Sequence, residues 1–188
     1  MKKAIVALTG IALLTGIYSF APKTEKKEAS LVVNIEKSRI DWGASKKSDF
    51  HTGIFPLKSG SVTVDAGKLK GGKFVIDLAN LKVTDPAGDR LSNHLKSADF
   101  FDVAKFSEAT YEISSVTYTD ASTADISGNL TVKGVSIPVK LKALVRNSDD
   151  KGFFAEAFLS LDKTLVGITY GTGNVSNDVQ LAIHLFAK

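Results

Sequence analysis

The sequence predicts an all-β protein: an antiparallel sheet closed into a barrel, with one short helix capping an end. Three observations predict it. Beyond residue 30, apolar and polar residues alternate with a period of two almost throughout, as in strands with one buried and one wet face. Turn residues break this alternation at short, regular intervals, so successive strands join as neighbours in a meander. Many long strands in one open sheet would leave exposed edges, which closure into a barrel removes.

The chain has 188 residues, which suits one domain with a real apolar core. Lys2 and Lys3 precede the apolar run from Ala4 to Tyr18, with small residues at Ser19 and Ala21. This is the pattern of an export signal, and residues 1–21 are expected to be cleaved. An uncleaved anchor is the alternative, because the run approaches membrane-spanning length and Pro22 follows the small-residue site. Either way the domain is expected outside the cytoplasm, in the periplasm or otherwise exported. The chain holds no cysteine, which excludes disulfides, thiolate chemistry and a lipid-anchored N-terminus. Formal charge is +4, and without Lys2 and Lys3 it is 22 basic against 20 acidic residues, or +2. So small an excess argues against nucleic acid as a partner.

Residues 22–30 are polar and charged and read as a tether, leaving 31–188 as the folded domain. Strand patterns follow at Leu31-Val33-Ile35, Ile40-Trp42-Ala44, Phe74-Ile76-Leu78 and Ile126-Leu130-Val132. The clearest are Val135-Ile137-Val139-Leu141-Ala143-Val145 and Val179-Leu181-Ile183-Leu185-Ala187. Turns are expected at Lys58-Ser59-Gly60, Lys70-Gly71-Gly72, Lys133-Gly134 and Asn147-Ser148-Asp149-Asp150. Residues 84–101 break the rhythm. Asp85 as N-cap with Pro86 at the first helical position, or Asp89 as a later cap, would start a helix. Leu91, Leu95 and Ala98 would share one face of it, joined by His94.

Within this segment, His94-Leu95-Lys96-Ser97-Ala98-Asp99-Phe100-Phe101-Asp102-Val103 resembles a signature of the YceI-like family of exported, lipocalin-like proteins. Three more stretches agree in order. Ser38-Arg39-Ile40-Asp41-Trp42 precedes His51-Thr52-Gly53-Ile54-Phe55 with Gly60. Gly128-Asn129-Leu130-Thr131-Val132-Lys133-Gly134-Val135 is similar to a family hairpin. Leu161-Asp162-Lys163-Thr164 with Gly167-Ile168-Thr169-Tyr170-Gly171 is similar to a late loop. Many family members carry arginine where this chain has Lys163, and a lysine lacks the planar two-pronged fork. The resemblance covers about residues 31–187. It implies a barrel of about eight strands around an apolar pore, closed by the helix and holding a polyisoprenoid, isoprenoid quinone or similar lipid.

A barrel interior can be filled or hollow, and strand patterns do not decide between them. Mid-sized Val, Ile and Leu alternate with the small residues Ala143, Ala155, Ala157, Gly43, Gly53 and Gly128. Many of the eleven phenylalanines, Phe50, Phe153, Phe154 and Phe158 among them, fall near the helix and adjoining strands. For the ligand the resemblance implies, the expected apolar pocket is Trp42, Phe55, Phe74, Ile76, Leu91, Leu95, Phe100, Phe101, Phe106, Leu130, Val139 and Leu141. Headgroup candidates are His94, Lys163 and Arg90. Each also has a plainer role: core packing for the apolar residues, a tie between helix and loop for His94, a solvated rim for the cations. His51 reads as structural and His184 as outward-facing.

A binding protein, not an enzyme, is therefore expected, with no metal and no cofactor beyond the bound lipid. Two other classes remain. One is a surface interaction module with a filled barrel. The other is an enzyme using His94 with Asp99 and Asp102, although no HxH, HExxH or GxSxG motif accompanies them. The strand at 153–161 is apolar on both faces and leaves a homodimer open.

Overall fold

The computed structural model describes residues 28–149 and 151–188. The expected signal segment and most of the expected tether lie outside these residues. Ten strands, one α-helix and a 3₁₀ turn follow in order. They are β1 (Ala29–Val32), β2 (Arg39–Lys46), β3 (Asp49–Asp65), β4 (Lys68–Asp77), β5 (Lys82–Val83), α1 (Gly88–Lys96), β6 (Glu108–Tyr118), β7 (Thr123–Val132), β8 (Val135–Ser148), β9 (Phe153–Asp162), η1 (Lys163–Val166) and β10 (Val175–Ala187).

Every strand pairing is antiparallel, and eight strands close a ring in the order β3-β2-β10-β9-β8-β7-β6-β4 with β4 returning to β3. The predicted closed barrel and its single helix are both present. The long 17-residue β3 spans the closure of the ring. Its first half pairs with β2 and its second half with β4 and β1. β1 then reaches the end of β10 through Val32 N–H to Lys188 O and Asn34 N–H to Phe186 O. Ala29 and Ser30, read as tether, are the first residues of β1, because each pairs with β3 at Val64 and Thr63. Ile35 lies beyond that strand and is exposed.

Two expected turns are bulges inside strands. At Lys58-Ser59-Gly60 the β3–β4 register slips between Leu57 and Ser59, and the strand continues. A second slip, between Thr63 and Val64, accompanies Gly71 and Gly72 inside β4. The β3–β4 reversal is instead at Ala66-Gly67, both with positive φ, the backbone that a tight hairpin with right-handed strand twist requires. The Lys133-Gly134 turn falls where expected and has the same geometry.

The helix starts later and ends sooner than expected. Ala87 is its N-cap and Ser97 its C-cap. Asp85 is not the cap because its carboxylate is used elsewhere: it accepts from the N–H of Ala87 (2.8 Å) and of Thr52 on β3 (2.9 Å), and meets His51 Nδ1 at 3.2 Å. These donated hydrogen bonds, with His51 a smaller contributor, hold the Asp85 carboxyl below the usual carboxylate range. Asp89 is in the first turn but makes no capping hydrogen bond, and Ala98 lies past the helix, exposed. β5 adds to β3 at Gly53 and Ile54 and carries α1 onto one end of the barrel. That α1 end also holds the β2–β3 and β7–β8 hairpins and the loop from Lys163 to Asn174. The opposite end holds the β3–β4, β6–β7 and β8–β9 hairpins.

Candidate functional site

Alternation sends one face of each barrel strand inward, and these faces do not fill the space they enclose. A cavity of about 240 Å³ runs inside the barrel. Its wall extends from Val62, Leu69 and Phe153 toward the far end to Phe100, Lys163 and Val166 at the α1 end. An apolar cavity of about 150 Å³ already accepts a benzene-sized molecule, so this one accommodates more than a single ring. Small side chains keep it open: Ala143 and Ala157 sit side by side as partners on β8 and β9, and both line it.

Ten of the twelve apolar residues expected in the pocket line this cavity: Trp42, Phe55, Phe74, Ile76, Leu95, Phe100, Phe101, Leu130, Val139 and Leu141. Leu91 and Phe106 do not. Leu91 is half-buried on α1 away from the cavity wall, and Phe106 packs near the β7–β8 turn, where a methyl on Gly134 would lie 3.6 Å from its ring. Phe50 and Phe158 are also outside, each 64% exposed. Phe154 stacks on Phe186 at 4.2 Å between ring centres, on the strand face opposite Phe153 and Ala155. β10 contributes Val179, Leu181, Ile183 and Leu185 to the wall; its alternation marked that face as inward, although these residues were not among those expected in the pocket. Val166 and Ile168, in the loop after β9, carry no periodic signal at all.

The rings at the α1 end form a chain. Trp42 meets Phe55 at 5.8 Å, and Phe55 meets Phe101 edge-on at 5.6 Å. The segment after α1 is tied to the barrel on two further sides: Lys133 Nζ donates to Phe100 O at 2.6 Å, and Phe100 packs against Tyr170 at 5.0 Å.

The three headgroup candidates have different surroundings. Arg90 is exposed on α1. His94 does not line the cavity; its Nε2 lies 3.0 Å from the Asp99 carboxylate and its ring is edge-on to Phe100 and Tyr170. Asp102, its other supposed partner, pairs with Lys105 at 3.0 Å. Among the described residues no group of three or more His, Asp or Glu side chains is placed to hold a metal ion. His184 lies beside Glu156 (3.3 Å) and Asp41 (3.7 Å), away from the cavity.

Lys163 is the candidate within the wall. It is 6% exposed, and its Nζ has no hydrogen-bond partner among the described residues. The fold puts it there. Asp162 ends β9 by accepting hydrogen bonds from Thr164 N–H (2.8 Å) and Oγ1 (2.7 Å), and Ile168 N–H closes the turn on Lys163 O. Those hydrogen bonds from Thr164, and to a lesser degree the Lys163 charge, hold the Asp162 carboxyl below its ordinary range. Trp42 Nε1 is a second buried donor without a partner. A buried polar group left unpaired costs roughly 1–3 kcal/mol, more for a charged one, so both are conspicuous. Tyr111, also in the wall, donates weakly to Val139 O at 3.3 Å, and burial pushes its hydroxyl up to about 12.

The closed eight-stranded antiparallel barrel with one helix is a fold shared with solved structures. The profile of the YceI-like domain matches residues 26–187, and the chain belongs to that family. A UPF0312 protein of Pseudomonas fluorescens is 33% identical over 196 residues, covering 98% of this chain and 96% of its own. The crystal structure of Burkholderia cenocepacia BcnA superposes with a TM-score of 0.73 at 21% identity, over 83% of this chain and 99% of that one. A polyisoprenoid binding domain from Saccharophagus degradans, implicated in plant cell wall breakdown, superposes at 0.68 with 17% identity, over 86% and 99%.

Proposed function

We propose that this chain is an exported binding protein that holds one long apolar ligand inside its barrel, a polyisoprenoid, an isoprenoid quinone or a similar lipid. It serves carriage, storage or a stress response, and catalyses no reaction. The observation that carries this reading is the continuous apolar cavity between the α1 end and the far hairpins. Each methylene-sized group moved from water into such a space gains up to ~0.8 kcal/mol, so a flexible chain binds with few polar contacts. The polyisoprenoid-binding description of the Saccharophagus degradans domain supports the same ligand class. Export rests on Lys2, Lys3 and the apolar run that follows, and the periplasm is the compartment it suggests. A solid-cored interaction module is the weaker reading, because the interior is hollow.

Organic extraction of the purified protein followed by mass spectrometry tests it. The expected result is a co-purifying long-chain lipid. A clean extract, together with no thermal shift on adding prenyl quinones or prenyl alcohols, would refute it.

A further inference from the structure

The two ends of the barrel differ in what their connections expose. The far hairpins carry Asp65, Asp120 and Asp149 and, among the described residues, no exposed large hydrophobic side chain. At the α1 end, three separate connections have them: Phe50 at the β2–β3 hairpin, Val135 at the β7–β8 hairpin, and Leu165 and Tyr170 in the loop from Lys163 to Asn174. Single exposed hydrophobics are ordinary on any surface, but four at one end and none at the other are a patch. The connections also touch: Lys47 N–H donates to Asn174 O (3.2 Å), and Tyr170 packs on His94 of α1 at 4.8 Å.

The loop after β9 holds its apolar residues outward. Residues 164–174 contain no charged side chain. Val166 and Ile168 line the cavity on either side of Gly167, whose φ of 77° turns the chain there, while Leu165 is left 58% exposed. Beside the loop, the β2–β3 hairpin carries Lys46 and Lys47 against Asp49. Residues 88–107 are balanced, with Arg90, Lys96 and Lys105 against Asp89, Asp99 and Asp102.

We propose that the α1 end docks on the surface of a lipid bilayer, with Phe50, Val135, Leu165 and Tyr170 entering the interface. Apolar side chains on separate connections, with no net acidic charge around them, suit a fluid surface, and a half-exposed tyrosine ring suits the headgroup level. Lys46 and Lys47 favour anionic lipid. The same connections supply Phe100, Val166 and Ile168 to the cavity wall, so a water-insoluble chain passes between bilayer and barrel at this end. That purpose rests on the binding reading above; the docking itself does not.

Amide exchange of the full chain, with and without vesicles of equal parts phosphatidylcholine and phosphatidylglycerol, tests it. The expected result is slower exchange on vesicles at residues 46–50 and 164–174, none at 119–123, and a smaller effect on phosphatidylcholine alone. Protection at these sites is distinct from any contact made by the apolar run at 4–18. Leu165→Ser combined with Tyr170→Ser should weaken the vesicle affinity read from that protection by about fivefold or more, while Phe158→Ser, on the side of the barrel, leaves it within about twofold. Circular dichroism checks that both variants keep the β fold. Unchanged exchange at 46–50 and 164–174, or a Leu165→Ser and Tyr170→Ser variant that docks as well as wild type, would overturn the docking. So would protection that appears without vesicles and grows with protein concentration, which would put a second copy on this end. Prenyl-alcohol binding measured on the same proteins in solution separates the two readings: if it persists when docking fails, only the docking is overturned.

Discussion

The indole of Trp42 lies across Gly53, its direct partner on the β2–β3 ladder. A Cβ at Gly53 would sit 2.5 Å from Trp42 Cζ2 and 2.0 Å from the carbonyl oxygen of Lys82. The missing side chain thus serves two contacts: it lets the ring fold flat against the barrel wall, and it lets β5, which carries α1, come up to β3. Gly53→Ala is expected to destabilise the fold by about 3 kcal/mol, the upper part of the range for overpacking, because backbone on one side cannot yield. Urea denaturation followed by Trp42 emission measures it; a loss below about 0.5 kcal/mol would contradict the contact.

Asp85 joins the lid to β3, so the lid's attachment depends on pH. Its carboxyl is depressed by N–H groups of Thr52 and Ala87 before His51. A depressed folded value contributes stability that is complete above the unfolded value and is lost as pH falls through the folded one. Amide exchange across Gly88–Lys96 is expected to quicken as pH drops below about 4, relative to the barrel strands, and Asp85→Ala should show the faster exchange already at neutral pH. Equal protection of helix and strands in that variant would count against the tie.

Tyr111 gives the opposite sign at high pH. Burial raises its hydroxyl to about 12, so between pH 10 and 12 the unfolded chain releases a proton that the folded chain keeps, and this site's contribution to stability falls. Absorbance titration near 295 nm should show one late tyrosine step near pH 12 that disappears in Tyr111→Phe. A wild-type protein whose tyrosines all ionise together near pH 10 would contradict this placement.

Lys163→Met should raise the stability of the ligand-free protein by about 1–3 kcal/mol, since it exchanges an unpaired buried amino group for a shape-matched apolar one. Thermal melts of both delipidated proteins measure the difference. A lower melting temperature for Lys163→Met would mean that the amino group already has a partner in the fold.

The fold was legible because alternation fixes which side chains face inward, whatever the strand boundaries. That is why Val139, Leu141, Phe74 and Ile76 share the inward face that lines the cavity. Boundaries were less legible. Lys58-Ser59-Gly60 and Lys70-Gly71-Gly72 have turn composition, but a bulge uses the same residue types, and only the long-range β3–β4 pairing distinguishes them. A local capping rule offers Asp85 or Asp89 as the start of α1 because it cannot see Thr52, which lies 33 positions before Asp85 and donates to that carboxylate. Hollowness was not legible, as filled and hollow barrels share one alternation. Nor was the burial of Lys163: a lysine after a strand usually marks solvent, and only the η1 turn and the apolar loop behind it fold the side chain inside.

Filling the cavity isolates its role from that of the fold. Ala143 and Ala157 are paired neighbours on β8 and β9 and both line the cavity, so Ala143→Phe puts a ring into the cavity itself. Prenyl-chain affinity should fall by about tenfold or more, in line with ~0.8 kcal/mol for each methylene-sized contact displaced, while the β-sheet circular dichroism is unchanged. Unaltered affinity in that folded variant would move the ligand out of the barrel.

Native mass spectrometry of the delipidated protein with prenyl alcohols of increasing length tests the central claim most directly. The account predicts one ligand per chain, with affinity rising with each isoprene unit until the cavity is full and then levelling, and with the complex lost in Ala143→Phe. Adducts of variable number, insensitive to chain length and equally abundant on the filled variant, would contradict it.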